Sequence, residues 1–395
     1  MTNSPPPDDL STARQARSGS LGADAWRRLR ADRAAACALA LLVIVAVLAA
    51  ATPLLPLQPP DQDRTELQYA PPCWRPWGLR DFRLDAAEIA RTRAEAGTLR
   101  EQLAALRDPE QRWRKQAEID DALQQPFRRA GFPRLGPVSR ALVACRLQLF
   151  GDWQANSWFG RDLLGRDVLS RVFWGARISL QVGLVATLVS LLIGVTYGAI
   201  AGYFGGWIDN AMMRVVDILY SIPFIFVVIF ITSVLNEDSV ARRLARYGIG
   251  RITVFYLVVG AIYWLTMARV VRGQVISLKH ESYVEAARAL GAGRRRIIFR
   301  HLLPNVMSVV LVYLTLTIPR VMLFEAFLSF LGLGVEAPDV SWGLLAKEGI
   351  EVITPVRIYW WLVLFPNAAL GATLLALNFL GDGLRDALDP RLRRL

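Results

Sequence analysis

Six stretches of about 20 residues, each almost free of charge, set the main constraint on this 395-residue chain. They run over residues 34–55, 178–202, 215–235, 252–268, 306–326 and 358–380. A helix rises 1.5 Å per residue, so a run of roughly that length is what crossing about 30 Å of hydrocarbon requires. The chain is therefore expected to be an all-α membrane protein with six transmembrane helices. A hydrophobic share of 53% agrees with that and leaves no room for a disordered chain, a collagen-like repeat or a small disulfide scaffold.

The net charge of +12, nearly all of it arginine, could suggest nucleic acid. The basic clusters lie beside the apolar runs, however, where cytoplasmic flanks of membrane spans carry them. Nucleic acid is therefore not expected as a partner. In the short segments, seventeen Lys and Arg fall on the side of the two termini and six on the other. Both termini of this multi-pass protein are thus expected in the cytoplasm. The expected division is a cytoplasmic tail at 1–33, the first transmembrane helix at 34–55 and an extracytoplasmic insertion at 56–175. Five more helices follow in 176–386, with a cytoplasmic loop at 273–304, and a cytoplasmic tail closes the chain at 387–395. A signal peptide competes for the first run, but that run is too long, and Pro53 to Pro56 make a poor cleavage site.

Within the insertion, Leu84 to Leu106 has near-helical apolar spacing, Asp108-Pro109 breaks it, and Glu110 to Leu123 resumes it. A helical hairpin is expected. Val138 to Phe150 is apolar but too short to span, so it packs on the hairpin or lies on the membrane. Cys73 and Cys145 flank the hairpin, and a disulfide between them is one reading; two small buried apolar side chains is the other. With Cys37 they form no zinc pattern, and no metal site is expected. Along the second run, Gly183, Thr187, Ser190, Gly194, Gly198 and Gly202 recur on one helical stripe, as close packing within a bundle demands.

The most informative stretch is Ser282 to Asn305. Ser282 followed by Glu285 reads as a capping box that starts a short helix, and Gly291 as its left-handed end. Ile297 to Leu302 then leads a second helix to Pro304 and the membrane. Glu285-Ala286-Ala287, Gly291 and Leu303-Pro304 resemble the signature of ABC importer permeases, with His301 where the general pattern has Ile. Leu164 to Arg171, Trp174 to Leu180, Glu325 to Val335, Ser341 to Gly343 and Gly381 to Arg391 resemble the dipeptide and oligopeptide permeases of the C type. The likeness covers about 34–55 and 160–391, leaving 56–159 outside it.

The resemblance implies a type I importer permease fold in the plasma (inner) membrane of a bacterium. It also implies a second, B-type permease, two ABC ATPase subunits and an extracytoplasmic substrate-binding protein as partners. In that machine Glu285, Ala286, Ala287, Gly291, Leu303 and Pro304 would transmit force, and the cargo would be di- or oligopeptides. A nickel chelate, a modified peptide antibiotic or a sugar is the alternative cargo. The chain itself is expected to hold no cofactor, ATP being bound by partner subunits. A phosphate loop needs G-x-x-x-x-G-K-[ST], and the nearest segment, Gly160 to Asp167, lacks the Lys and the hydroxyl. An intramembrane enzyme would need catalytic side chains at membrane depth; neither His280 nor His301 lies in a span, and no catalytic motif is present. Arg320 and Glu325, in or near the fifth span, either serve a pathway for zwitterionic peptides or pair with each other near the outer surface. Asp217 and Arg214 read as headgroup or subunit contacts.

Overall fold

The computed structural model describes residues 21–388 apart from 236, 238–239, 241–242 and 245–250. The first 20 residues of the expected amino-terminal tail, most of the loop around 236–250 and residues 389–395 lie outside that description. The chain is an all-α membrane protein in which helices account for nearly every described element. Five helices are long and apolar enough to cross a membrane, and a bent pair would supply a sixth.

The first elements are α1 (Leu21–Ala31) and α2 (Arg33–Ala51), joined at Asp32, whose carboxylate accepts from Ala34 N at 2.9 Å and caps α2. The segment read as tail is therefore helical from Leu21. The hairpin forms as α3 (Ala86–Ala105) and α4 (Pro109–Arg129), with Asp85 and Asp108 as caps and Pro109 in the first turn, where no backbone donor is missed. Next come α5 (Pro137–Phe150) and a small antiparallel pair, β1 (Gly78–Arg80) and β2 (Trp153–Ala155), in which Leu79 faces Gln154. Phe82, Ile89, Phe127, Phe132, Val143 and Trp174 bury one another in a core of this region's own. Trp174 comes from α6 (Val168–Phe204), so that helix starts inside the insertion, ten residues before the apolar run it carries.

The third apolar run is not one straight helix: α7 (Gly206–Ser221) and α8 (Phe224–Leu235) meet at 79°. Pro223 offers no amide and holds Ile222 extended (φ −82°, ψ 121°), which breaks the helix there. The bundle continues with α9 (Arg251–Leu278), the short α10 (Ser282–Ala289), α11 (Leu303–Phe330), α12 (Trp342–Glu351) and α13 (Trp360–Leu388). The most extensive helix pair is α6 with α9. Gly194, Gly198 and Gly202 lie against Met267, Ala268, Arg272 and Val275, and a Cβ at Gly198 would collide with the Ala268 carbonyl. Gly183 meets Met322 of α11 in the same way, so the small-residue stripe is spent on packing within the chain. α2 lies along α13, and α1 closes on the far end of α13 through Ala25, Leu29 and Ala387.

Candidate functional site: the α10 turn and its anchorage

α10 is eight residues long and lies between two membrane-spanning helices. Val284 and Ala287 face inward, at helical spacing, and Val284 joins a buried cluster with Val195, Val271, Val275, Ile297 and Leu302. Ser282, Glu285, Ala286, Arg288 and Leu290 face outward, and Leu290 is 88% exposed.

The end of α10 is rigid for a definable reason. Gly291 has φ +79°, its amide donates to Arg288 O at 2.9 Å, and Ala292 N reaches back to Ala287 O at 2.9 Å. These two bonds are the paired closure that a left-handed glycine permits and a Cβ penalises. The start differs from the sequence reading: Glu281 is the cap residue, Ser282 is already helical, and no side chain caps the helix. Beyond Gly293, a turn over Arg294–Arg296 enters a π-helical stretch at Ile297–Leu302 that runs into α11. There Ile297, Ile298 and Leu302 are buried, while Pro304 is exposed and Leu303 half-buried. Glu285, Ala286, Ala287 and Gly291 thus sit on one compact turn, and Leu303 and Pro304 sit at the root of the next helix.

Neighbouring contacts fix the bundle end that carries this turn. Arg272 grips Asp209 through two hydrogen bonds of 2.5 and 2.6 Å, and Lys279 Nζ donates to Gly202 O at 3.2 Å, holding the end of α6. Asp217, read from sequence as a headgroup or subunit contact, is paired with Arg269 at 2.7 Å.

Arg320 and Glu325 do not form the pair expected of them. Arg320 is exposed, and its carbonyl accepts from the Tyr263 hydroxyl at 3.1 Å. Glu325 is fully buried, taking a hydrogen bond from Ser329 Oγ at 2.7 Å and a long one from Ser179 Oγ at 3.4 Å. Ser179 in turn accepts from Trp342 N at 3.1 Å, and Ser329 from Val335 N at 3.1 Å, so the carboxyl knits α6, α11 and α12 together. Within this chain Glu325 is thus buried among α6, α11 and α12.

Gly160 to Asp167 is a loop rich in paired charge. Its charges answer one another: Arg166 meets Asp162 at 2.8 Å, Arg171 meets Asp162 at 2.6 Å, and Glu348 of α12 holds Arg171 through both oxygens. Arg146, another buried cation, donates to Leu55 O at 3.1 Å and Leu57 O at 3.2 Å and lies 3.5 Å over the Phe82 ring. Burial pushes its guanidinium down to about 10. Spacing signals neither network in full, because Glu348 and the Leu55 and Leu57 carbonyls lie far along the chain from the arginines they hold. The cysteines are free and exposed; the Cys73 thiol donates to the Arg75 carbonyl at 2.7 Å, so the structure does not join Cys73 to Cys145.

Long helices crossing on small-residue faces, with a short helix closed by Gly291 between two of them, define a helical membrane bundle. The chain belongs to the family described as the binding-protein-dependent transport system inner membrane component, which matches residues 194–394. The N-terminal transmembrane domain of oligopeptide transport permease C matches residues 20–72. The dipeptide transport system permease protein DppC of Bacillus subtilis (strain 168) is 48% identical over 240 residues, 61% of this chain and 70% of that protein. The oligopeptide transport system permease protein OppC of Escherichia coli (strain K12) is 44% identical over 240 residues, 61% of this chain and 74% of its own length. The glutathione transport system permease protein GsiD of Pectobacterium atrosepticum is 40% identical over 238 residues, 60% of this chain and 73% of that protein. The chain is thus a peptide-type ABC permease in its family, with the type I permease fold.

Proposed function

We propose that the chain is one permease subunit of an ATP-driven importer for di- or oligopeptides, forming half of the translocation pathway with a B-type permease. Two ABC ATPases dock on the α10 turns, and a substrate-binding protein delivers cargo at the side of the insertion. Both termini are cytoplasmic and the insertion faces outward. The observation that supports this best is the construction of α10: a short helix pinned to the bundle core through Val284, with Ala287 buried beside it, closed by Gly291, with Glu285 and Leu290 turned out. Force applied to such a helix passes to α9 and α11 instead of being lost in a soft loop. The relatives' names refer to dipeptide, oligopeptide and glutathione transport, and glutathione is itself a small peptide, which supports peptides as cargo.

The test is cargo-stimulated ATP hydrolysis by the purified complex. Glu285→Lys and Gly291→Pro are expected to leave the subunit inserted and to lower that stimulation about tenfold or more, within the range of ordinary coupling energies. Normal stimulation in both variants would remove the role assigned to α10.

A further inference from the structure

A cavity of 680 Å³ opens between the loop around Asp162–Val168, the end of α12 and the start of α13. Its floor is apolar, with Val168, Leu345, Leu362 and Pro366, and Tyr69 stacks on Tyr359 at 4.0 Å along one wall. Asp162, Arg166, Arg171 and Glu348 line another wall but neutralise one another, as described above. Glu351 also faces the cavity, with Lys347 3.8 Å away. Arg357 is different: it lines the cavity, is exposed, and forms no ion pair among the described residues. The uncommitted charge of this hollow is one cation above an apolar floor.

The surroundings of Arg357 say what could meet it. Ile353 is 46%, Val356 89%, Ile358 63% and Trp360 50% exposed, so the arginine stands in a strip of open apolar side chains. The strip ends at Trp360, where α13, a helix apolar enough to span, begins. The end of such a helix is expected at the boundary between hydrocarbon and water, where tryptophans gather and arginines keep their heads in the headgroup layer. An occupant suited to both halves of the site must carry a negative group on an apolar body. The volume lies within the ordinary range for a small-molecule pocket, enough for a headgroup and the upper part of its chains.

We propose that this cavity is a phospholipid site, seating the phosphate of a lipid from the leaflet on the insertion's side against Arg357, with the chains over Val356 and the start of α13. The site is independent of cargo and of the α10 turn.

The test uses the full chain in nanodiscs containing phosphatidylglycerol with a photoactivatable group near its phosphate. Cross-links are expected to concentrate on residues 348–362. Arg357→Glu should reduce them about fivefold, the scale for one arginine at a charged membrane surface, and Val356→Asp should reduce them as well. Arg295→Glu at the opposite end of α11 should change nothing. Labelling that is indifferent to Arg357, or spread evenly along the lipid face of α2, overturns the proposal. So does displacement by soluble glycerol phosphate, which would mark a free-anion site, or by a soluble dipeptide, which would mark a peptide site. Loss of labelling on assembly with the second permease or the binding protein would also overturn it, because a protein would then cover the cavity.

Discussion

Asp167 shows how much one side chain at the head of a helix can carry. It is 2% exposed, it accepts from Ser170 N at 2.8 Å, and it stands where the loop of charges becomes α6. Burial pushes its carboxyl from 3.8 up to about 6, against the pull of the Ser170 amide and of Arg161. Between those two values the folded chain holds a proton that the unfolded chain has released. Its contribution to stability is therefore full below about pH 4 and is lost as pH rises through about 6. Amide exchange at residues 160–170 is expected to speed up across that window beyond its intrinsic pH dependence, and Asp167→Asn should flatten the excess. An unchanged excess in the variant would assign the effect to another group. The charges of this loop are plain in the sequence, but their partners are not. Glu348 lies 177 residues from Arg171, and the carbonyls that hold Arg146 lie about 90 residues away. Pairings of that kind are properties of the closed fold and leave no spacing to read.

At the scale of elements, periodicity and composition located the helices because each stands on a local cause. The hairpin over 84–123, the short helix over 138–150 and the turn at Gly291 follow from apolar spacing, Asp108-Pro109 and a glycine. The failures are also local: Pro223 turns the third run into α7 and α8, and α10 starts at Ser282, one residue earlier than a serine cap implies. The Arg320–Glu325 pair failed because a separation of five residues puts the two side chains on different faces of α11, where only residues three or four apart meet. Two glycines provide a paired measurement of packing against propensity. Gly198 is pressed on α9, with Val271 Cβ 3.0 Å from where its own Cβ would stand, whereas nothing lies within 4 Å of that point at Gly97. Gly198→Ala is expected to destabilise the detergent-solubilised chain by about 1–3 kcal/mol, as overpacking does. Gly97→Ala, in an open helix, should leave stability unchanged or raise it by up to about 1 kcal/mol. Thermal unfolding of both should give opposite or clearly separated shifts; equal shifts would mean that the close crossing of α6 and α9 is not what the stripe provides.

For the whole molecule, the cysteines report on sidedness and on the insertion together. Cys73 and Cys145 are free and exposed, one on each side of the hairpin. With the outward orientation proposed above, a membrane-impermeant maleimide added to intact cells should label both without a reductant. Labelling only after permeabilisation would reverse the orientation, and labelling only after reduction would restore the bridge between them.

The length of α6 has a mechanical consequence. Its 37 residues make a rod of roughly 55 Å, against a hydrocarbon layer of about 30 Å. One end is cemented into the insertion's core by Trp174, and the other is clasped by Lys279 on the way to α10. Were that mast to tilt as one piece, a displacement at the α10 end would carry the insertion's core with it through an arc.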